Sequence, residues 1–542
     1  MKNNETNARA ADYIATRLYE AGCRYAFGMP GGEVLTIVDA LEKAGIEFVL
    51  CKHENSAGFM AEGVHHRTGA PGILVATVGP GVVNGTNAIA NALQDRVPLI
   101  VLTGCVDATE ALTYTHQVID HEAIFKPITK ATFRLTAEGA DIIADKAVSI
   151  AMEGRSGPVL IDVPISVADE EPGVLPIRRR AQASPVSPAL GTNFDQAREW
   201  LSEAKKPIMV IGLDAIKDGA SEVIQKFIEK YNIPFITTYK AKGLVSESHL
   251  LSLGGAGLSP LADKTLVPFV ESADLILCVG YDPIEMRTGW REIWDPKKVN
   301  VIDITAVDSD HYMHQSSISF IADTRATLTA LQQDVSNSKT WVNGEIENAK
   351  KNLASDFSSD VEWGPAAVID ECRKGLPKNT IATVDSGAHR ILLSQIWRCY
   401  EPSTLLQSSA LCTMGCAVPL AMGAKIAEPN RTVVSFSGDG GMLMVAGELS
   451  TAAELNANTI FVVFVDASLA LIELKQRHRE MKNAAVDFDR HDFEAIGKAF
   501  GGNSFTVESR TELKDALEAA QSSKTFTVIA AIIDRHAYDG LI

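Results

Sequence analysis

Three carboxylates in this chain stand where residue type and spacing can do chemistry: Asp439, Asp466 and Glu54. The first two belong to one stretch. The apolar run Val433-Val434-Ser435-Phe436 breaks at Gly438-Asp439-Gly440, a helical pattern follows over 442–455, and a second apolar run over 459–465 ends on Asp466. Strand, glycine turn, helix and strand make a βαβ unit, which places both acids at the C-terminal ends of neighbouring parallel strands, the edge where open sheets bind ligands. Backbone N–H groups at a glycine turn and helix start hold phosphate, and Asp439 beside them suits a hard cation. A three-residue Gly-Asp-Gly alone also fits a tight turn with a capping Asp. A second acid 27 residues further on makes the pattern far more specific. Glu54 stands at a junction between the strand 48–51 and a helical pattern over 56–67. An acid there can simply favour the helix dipole; in an apolar pocket its raised pKa would let it share a proton.

The elements needed to position these residues recur along the chain. Apolar runs alternate with helical patterns through about residue 163, again from 206 to about 331, and again from 365 to the strand at 525–533, predicting an α/β fold of three doubly wound parallel-sheet domains. The expected domains are 1–170, 190–335 and 360–542, with a Pro-, Arg-, Ala- and Ser-rich linker over 169–192 and a polar helical connector over 334–360. The units 73–102 and 433–465 share a layout of apolar strand, G-x-G turn, helix and strand, a hint of internal repetition.

Composition bounds the function. The 542 residues exceed the size of one core, and 46% apolar with 22% charged residues is ordinary for a soluble protein. A net charge of −18 argues against a nucleic-acid partner, and the longest basic cluster, Arg178-Arg179-Arg180, reads as solvated linker. No apolar run reaches the roughly 18 residues that span a membrane, the N-terminus has no signal-peptide core, and eight scattered cysteines suit reduced thiols, so a cytoplasmic protein is expected. Cys412 and Cys416 have no second ligand pair to make a metal site.

The stretch 433–476 resembles the cofactor motif of thiamine diphosphate enzymes, and HENSAGFMAEGVHHRTG at 53–69 resembles the segment carrying their activating glutamate. The resemblance implies that Asp439, Asp466 and the Ser468 carbonyl hold Mg²⁺, with Gly438, Gly440 and Gly441 at the diphosphate. Asp466-Ala467 stands where the family usually has Asn-Asn or Asn-Asp, and a carboxylate oxygen serves Mg²⁺ as an amide oxygen does, with one more negative charge. Glu54 would touch the aminopyrimidine N1′ from a second subunit, which implies a homodimer or homotetramer with sites at the interface. The segment 404–429 resembles the one that wraps the aminopyrimidine, implying that the Cys412 carbonyl accepts from the 4′-amino group and Met414 holds the cofactor bent; the small-residue turn also fits a simple helix entry. Gly387, Ala388 and His389 resemble the diphosphate-side loop, with His389 a donor to phosphate.

Within that superfamily the chain is most similar to acetolactate synthases, on FGMPGGEVLTIVDAL at 27–41, THQVIDHEAIFKPITKAT at 115–132, GYDPIE at 280–285 and AAVDFDRHDFEAIGKAFGG at 484–502. The second and fourth segments are nearest the catabolic, FAD-independent branch. The resemblance implies decarboxylation of a 2-oxo acid such as pyruvate and ligation to a carbonyl acceptor. It places His116 and Gln117 at the substrate end, where they also fit as caps of a loop helix, and lets Gly31 and Gly32 bring backbone close to the cofactor. Tyr281-Asp282 replaces the Arg of the biosynthetic branch, and 469–476 lacks its Trp, so a preference for 2-oxobutyrate is not supported; Leu469 to Ile472 form an apolar wall instead. Gly254-Gly255-Ala256-Gly257-Leu258 is a weak glycine cluster that does not support FAD. The same residues leave two alternatives: a non-ligating decarboxylase or diketone lyase, and a catalytically silent cofactor-binding relative.

Overall fold

The computed structural model describes residues 8–173, 183–308, 311–337 and 339–542; the arginine cluster 178–180 lies outside them. Among the described residues eighteen strands form three six-stranded sheets, every paired strand within them parallel. The first sheet holds β1 (Tyr25–Met29), β2 (Glu47–Leu50), β3 (Gly72–Ala76), β4 (Leu99–Cys105), β5 (Ala131–Arg134) and β6 (Val159–Pro164) in the order β2-β1-β3-β4-β6-β5. The middle sheet holds β7 (Pro207–Ile211), β8 (Phe235–Thr237), β9 (Ser252–Gly255), β10 (Leu275–Val279), β11 (Asn300–Thr305) and β12 (Ile318–Ile321) in the order β12-β11-β10-β7-β8-β9. The third holds β13 (Ile381–Val384), β14 (Leu405–Gln407), β15 (Val433–Gly438), β16 (Ile460–Val465), β17 (Asn503–Val507) and β18 (Thr527–Ile532) in the order β14-β13-β15-β16-β18-β17.

The first and third orders are the same permutation, so the repeat glimpsed at 73–102 and 433–465 is one pair of equivalent units, β3 to β4 and β15 to β16. The middle sheet reads 3-2-1-4-5-6 from its first strand, the doubly wound order of dinucleotide-binding folds. The central strands are mostly apolar and buried on both faces, as parallel sheets covered by helices require.

Some local expectations shift. The helix expected over 442–455 is two, Asp439–Val445 and Glu448–Glu454, broken at Ala446-Gly447. The helix expected after Gly79-Pro80-Gly81 is likewise split at Gly85 into Pro80–Asn84 and Thr86–Gln94. The polar helix Glu345–Asp356 is more than a connector: Ile346 and Ala349, with Trp341 before them, are buried in the middle core, and Trp341 stacks on Phe269 at 4.3 Å. Among the described residues no helix is long and apolar enough to cross a membrane.

Two helices that follow the second strands of the first and third sheets, Glu54–Thr68 and Ala417–Ala427, pack face to face. The contact is backbone on backbone. A Cβ on Gly63 would lie 2.4 Å from the Leu420 carbonyl oxygen, and one on Gly423 would lie 2.0 Å from that of Met60. Only glycine fits at either place. Gly423→Ala must therefore push the two units apart; we expect a loss of about 2 kcal/mol or more and a thermal midpoint lower by several degrees, read by circular dichroism or calorimetry. A variant melting with the native protein would show that the helices have room to slide.

Candidate active site

The third sheet builds a cavity of about 110 Å³ at the C-terminal ends of β15 and β16. Asp439 opens the helix after β15 and is 3% exposed. Its Oδ1 accepts from the Gly440 N–H at 2.8 Å; its Oδ2 accepts from the N–H groups of Asp466 at 3.2 Å and Ala467 at 2.7 Å. The turn after β16 is thus hung from Asp439. Ala467 takes a left-handed φ of 56°, a conformation natural to Asn and costly for Ala. Asp466 Oδ1 accepts from the Ser468 N–H at 3.1 Å, and the Ser468 hydroxyl donates to Asp487 Oδ1 at 2.9 Å.

The two acids are crowded. Burial raises the Asp439 carboxyl, and burial together with the Asp439 charge pushes Asp466 up to about 7. A buried carboxylate pair of this kind titrates jointly and is relieved by a cation. Among the described residues no group of three or more His, Cys, Asp or Glu side chains is disposed to hold a metal ion. Two neighbouring carboxylates are donors of the kind that a hard dication takes.

Asp385, which reads in the sequence only as the start of a loop, is the joint of the cavity. Its Oδ1 takes the His389 Nε2 at 2.8 Å and the Gly438 N–H at 3.3 Å, and its Oδ2 takes the Gly415 N–H at 2.7 Å. One carboxylate thus ties the loop 385–389, the glycine turn and the segment carrying Cys412 and Met414. Gly441 is required beside it, since a Cβ there would meet Asp385 Oδ2 at 1.9 Å. With Nε2 committed, the His389 nitrogen beside Gly387 and Gly438 is Nδ1, and the ring stacks on Phe464 at 5.4 Å. Gly387, Ala388, Met414, Gly438, Gly440 and Ser468 all line the cavity, with Leu469 to Ile472 as the expected apolar wall. Tyr538, from the C-terminal turn, lines it too, a residue that no local pattern announces. Cys412 takes a left-handed φ of 52°. Its side chain folds back, donating to the Ser409 carbonyl at 3.1 Å and receiving Arg390 Nη1 at 3.1 Å.

The remaining candidates belong to the first sheet and none lines this cavity. Glu54 begins its helix, is 4% exposed, and accepts from Asn84 Nδ2 at 3.0 Å, a partner the sequence reading missed because it comes 30 residues later. Gly81 lies against the other carboxylate oxygen. Gln117 holds a left-handed φ of 60° with its carbonyl against Gly79; His116 is exposed, with its ring edge-on to Tyr114. Neither caps a helix: Asp120 caps His121–Phe125, accepting from the Ala123 N–H at 2.9 Å. His121 Nε2 accepts from the Gly79 N–H at 3.2 Å while Nδ1 faces Asp162 Oδ1 at 2.8 Å, which fixes the tautomer and holds the turn beside Gln117. Gly32 has open space at its α-carbon, whereas the space at Gly31 is filled by the chain's own Thr77 and Glu33.

The family models that match are those for the thiamine pyrophosphate enzyme N-terminal TPP binding domain at residues 8–124, the central domain at 194–331 and the C-terminal TPP binding domain at 385–531. An acetolactate synthase of Bacillus subtilis is 30% identical over 97% of this chain and 93% of its own length. A catabolic acetolactate synthase of Raoultella terrigena is 27% identical over 97% and 95%, and the isozyme 2 large subunit of Escherichia coli is 28% identical over 95% and 93%.

Asp466 makes the site sensitive to pH. Its folded value lies above its ordinary one, so its contribution to stability is present in acid and lost as pH rises through about 7. Asp466→Asn keeps an oxygen for the Ser468 N–H and has no charge to bury. With divalent metal chelated, the variant should gain thermal stability over the native protein by a few degrees between about pH 5 and pH 8. A midpoint difference that stays constant across this range would refute the crowding of the two acids.

Proposed function

The chain belongs to the thiamine pyrophosphate enzymes, among the acetolactate synthases, and from that premise we propose that Glu54, Gln117 and His116 act on substrate and cofactor while Asp439, Asp466 and Ser468 hold the metal. It catalyses thiamine diphosphate-dependent decarboxylation of a pyruvate-like 2-oxo acid and carboligation to a carbonyl acceptor. Thiamine diphosphate, when bound, would supply a nucleophilic carbon and an electron sink for the decarboxylation. The observation carrying the site assignment is the Asp439 carboxylate, which gathers the turns after two adjacent strand ends around one small cavity.

Asp439, Asp466 and the Ser468 carbonyl would hold Mg²⁺, which neutralises diphosphate charge beside the N–H groups of the glycine turn. The Cys412 carbonyl would accept from the aminopyrimidine amino group; its left-handed backbone and folded-back thiol support this reading. Glu54, oriented by Asn84, would hold the proton at the aminopyrimidine N1′. The Leu469 to Ile472 wall is apolar and would suit the methyl group of a small oxo acid. Gln117 and His116 would face the acceptor, on a loop braced by His121.

We place the working site between two copies of the chain, in a homodimer or homotetramer. The cavity at Asp439 is walled by third-unit residues alone, and Glu54 belongs to the first. Apolar side chains stand open beside both halves: Leu443 and Met444 after the glycine turn, Val83 after Gly81. The eight free cysteines, seven of them buried, suit a cytoplasmic enzyme. A middle unit without flavin is supported by its switch point between β7 and β10. There Asp214 is pushed up to about 6 and Asp303 to about 7, mainly by burial, and Asp282 pairs with Arg96 at 2.9 Å and Arg155 at 3.2 Å. Carboxylates stand where a dinucleotide pyrophosphate would need N–H groups. The purified protein should show no flavin absorbance band.

Glu54→Gln should bind thiamine diphosphate with affinity close to native by calorimetric titration while turnover falls by about 100-fold or more. Near-native turnover would remove Glu54 from its role. After incubation of the native enzyme with pyruvate, acidification should release acetoin; acetaldehyde instead would mark a simple decarboxylase.

A further inference from the structure

The largest cavity described here serves none of this chemistry. It is a cleft of about 690 Å³ between the middle and third units, walled by the helix Glu345–Asp356 on one side and by Pro365–Gly375 and the end of Ala388–Ile396 on the other. The chain as a whole carries −18, yet this cleft gathers Lys350, Arg373, Lys374, Lys378 and Arg398 around Tyr400. Its two acids are already engaged. Asp370 is held by Lys374 at 2.6 Å and Arg510 at 3.0 Å; Glu247 is held by Lys242 at 2.6 Å and by the Cys399 N–H at 2.6 Å. Among the described residues, none of Lys350, Arg373, Lys378 and Arg398 has a carboxylate in ion-pair contact.

Three of these four cations are held in place by the chain. Lys350 donates to the carbonyls of His249 at 3.3 Å and Leu250 at 2.8 Å, and Arg373 donates to those of Leu376 and Pro377. The Arg373 guanidinium lies over the Trp397 ring at 4.4 Å and the Tyr400 ring at 5.6 Å, and Lys378 lies over the same tyrosine at 5.6 Å. The Lys350 amine is pushed down by burial and by the Arg398 charge beside it. Like charges concentrated in a concave site repel one another until an anion enters, and such a field draws anions in. The hydrogen bonds fix Lys350 and Arg373 before any ligand arrives, which lowers the ordering cost of binding.

We propose that this cleft binds a small polyanion of the phosphorylated-metabolite class, distinct from the diphosphate site at Asp439. The cations take the phosphate oxygens, and the cleft has room for an attached organic group beside Tyr400 and Phe357. The test uses the holoenzyme saturated with thiamine diphosphate and excess magnesium, so that the cofactor site is filled. Inorganic pyrophosphate and ADP are titrated into it by calorimetry at low and raised salt. One saturable site per chain is expected, weakening as salt rises. Lys378→Glu combined with Arg398→Glu, both at exposed positions, should weaken it tenfold or more, while Lys43→Glu, on the first unit's helix Leu35–Ala44, should leave it unchanged. Tighter ADP than pyrophosphate would assign a nucleotide; the reverse would assign a bare polyphosphate end. Absence of saturable binding for both probes, or an unchanged affinity in the folded double variant, would overturn the proposal.

Discussion

The contact on which the rest depends is the seating of Glu54–Thr68 against Ala417–Ala427, two helices whose backbones meet at Gly63 and Gly423. Around it runs a buried polar lashing from all three units. Lys240, from the middle unit, reaches Asp95 at 3.1 Å and Glu62 at 3.7 Å in the first. Asp95 accepts from the Ser409 and Ala410 N–H groups of the third at 2.9 and 2.8 Å, and the Ser408 hydroxyl donates to Asn91 at 2.7 Å. Those residues lead directly into Cys412 and Met414. Positions in the segment 408–415 are thus set by charges buried in another unit, and removing one partner would leave the others buried without compensation.

Charge is handled in two ways in this molecule. At the three-unit junction it is matched: Lys240 lies against two carboxylates, while His65 and His66 are pushed down to about 3 by burial and stay neutral. Between β15 and β16 it is poorly matched: two acids stand side by side with main-chain N–H groups and, among the described residues, no ion-paired cation, the nearby Arg535 being paired with Asp487. Crowding of that kind is what a hard dication would relieve, which is the ground of the proposed metal site.

Much of this was legible from residue order, for a physical reason. Strands buried on both faces read as apolar runs, and the Gly438-Asp439-Gly440 turn, the second acid and the apolar wall after it are all local to one βαβ unit. The place of Glu54 at a strand–helix junction was legible in the same way. The connectors were not. Asp385 to Gly415 and Gly438, Asn84 to Glu54, His121 to Asp162 and Asp95 to Ser409 all join residues that are distant in sequence, and nothing in one chain marks which Asp meets which N–H. The helix breaks at Gly85 and Ala446-Gly447 escaped for the opposite reason, since small residues are compatible with a continuing helix until packing decides.

The seating of the two helices also sets a schedule for synthesis. Arg67 and Glu428, which pair across that interface at 2.7 Å, are 361 residues apart. At translation rates of about 5–20 residues per second, the first unit waits on the order of 20 to 70 seconds for its counterpart to leave the ribosome. Throughout that interval the face built around Gly63 is finished but uncovered, and the middle unit, with its own separate core, folds in between. The protein is therefore assembled as a first half that must wait, and the nascent chain is most vulnerable to wrong association while it does.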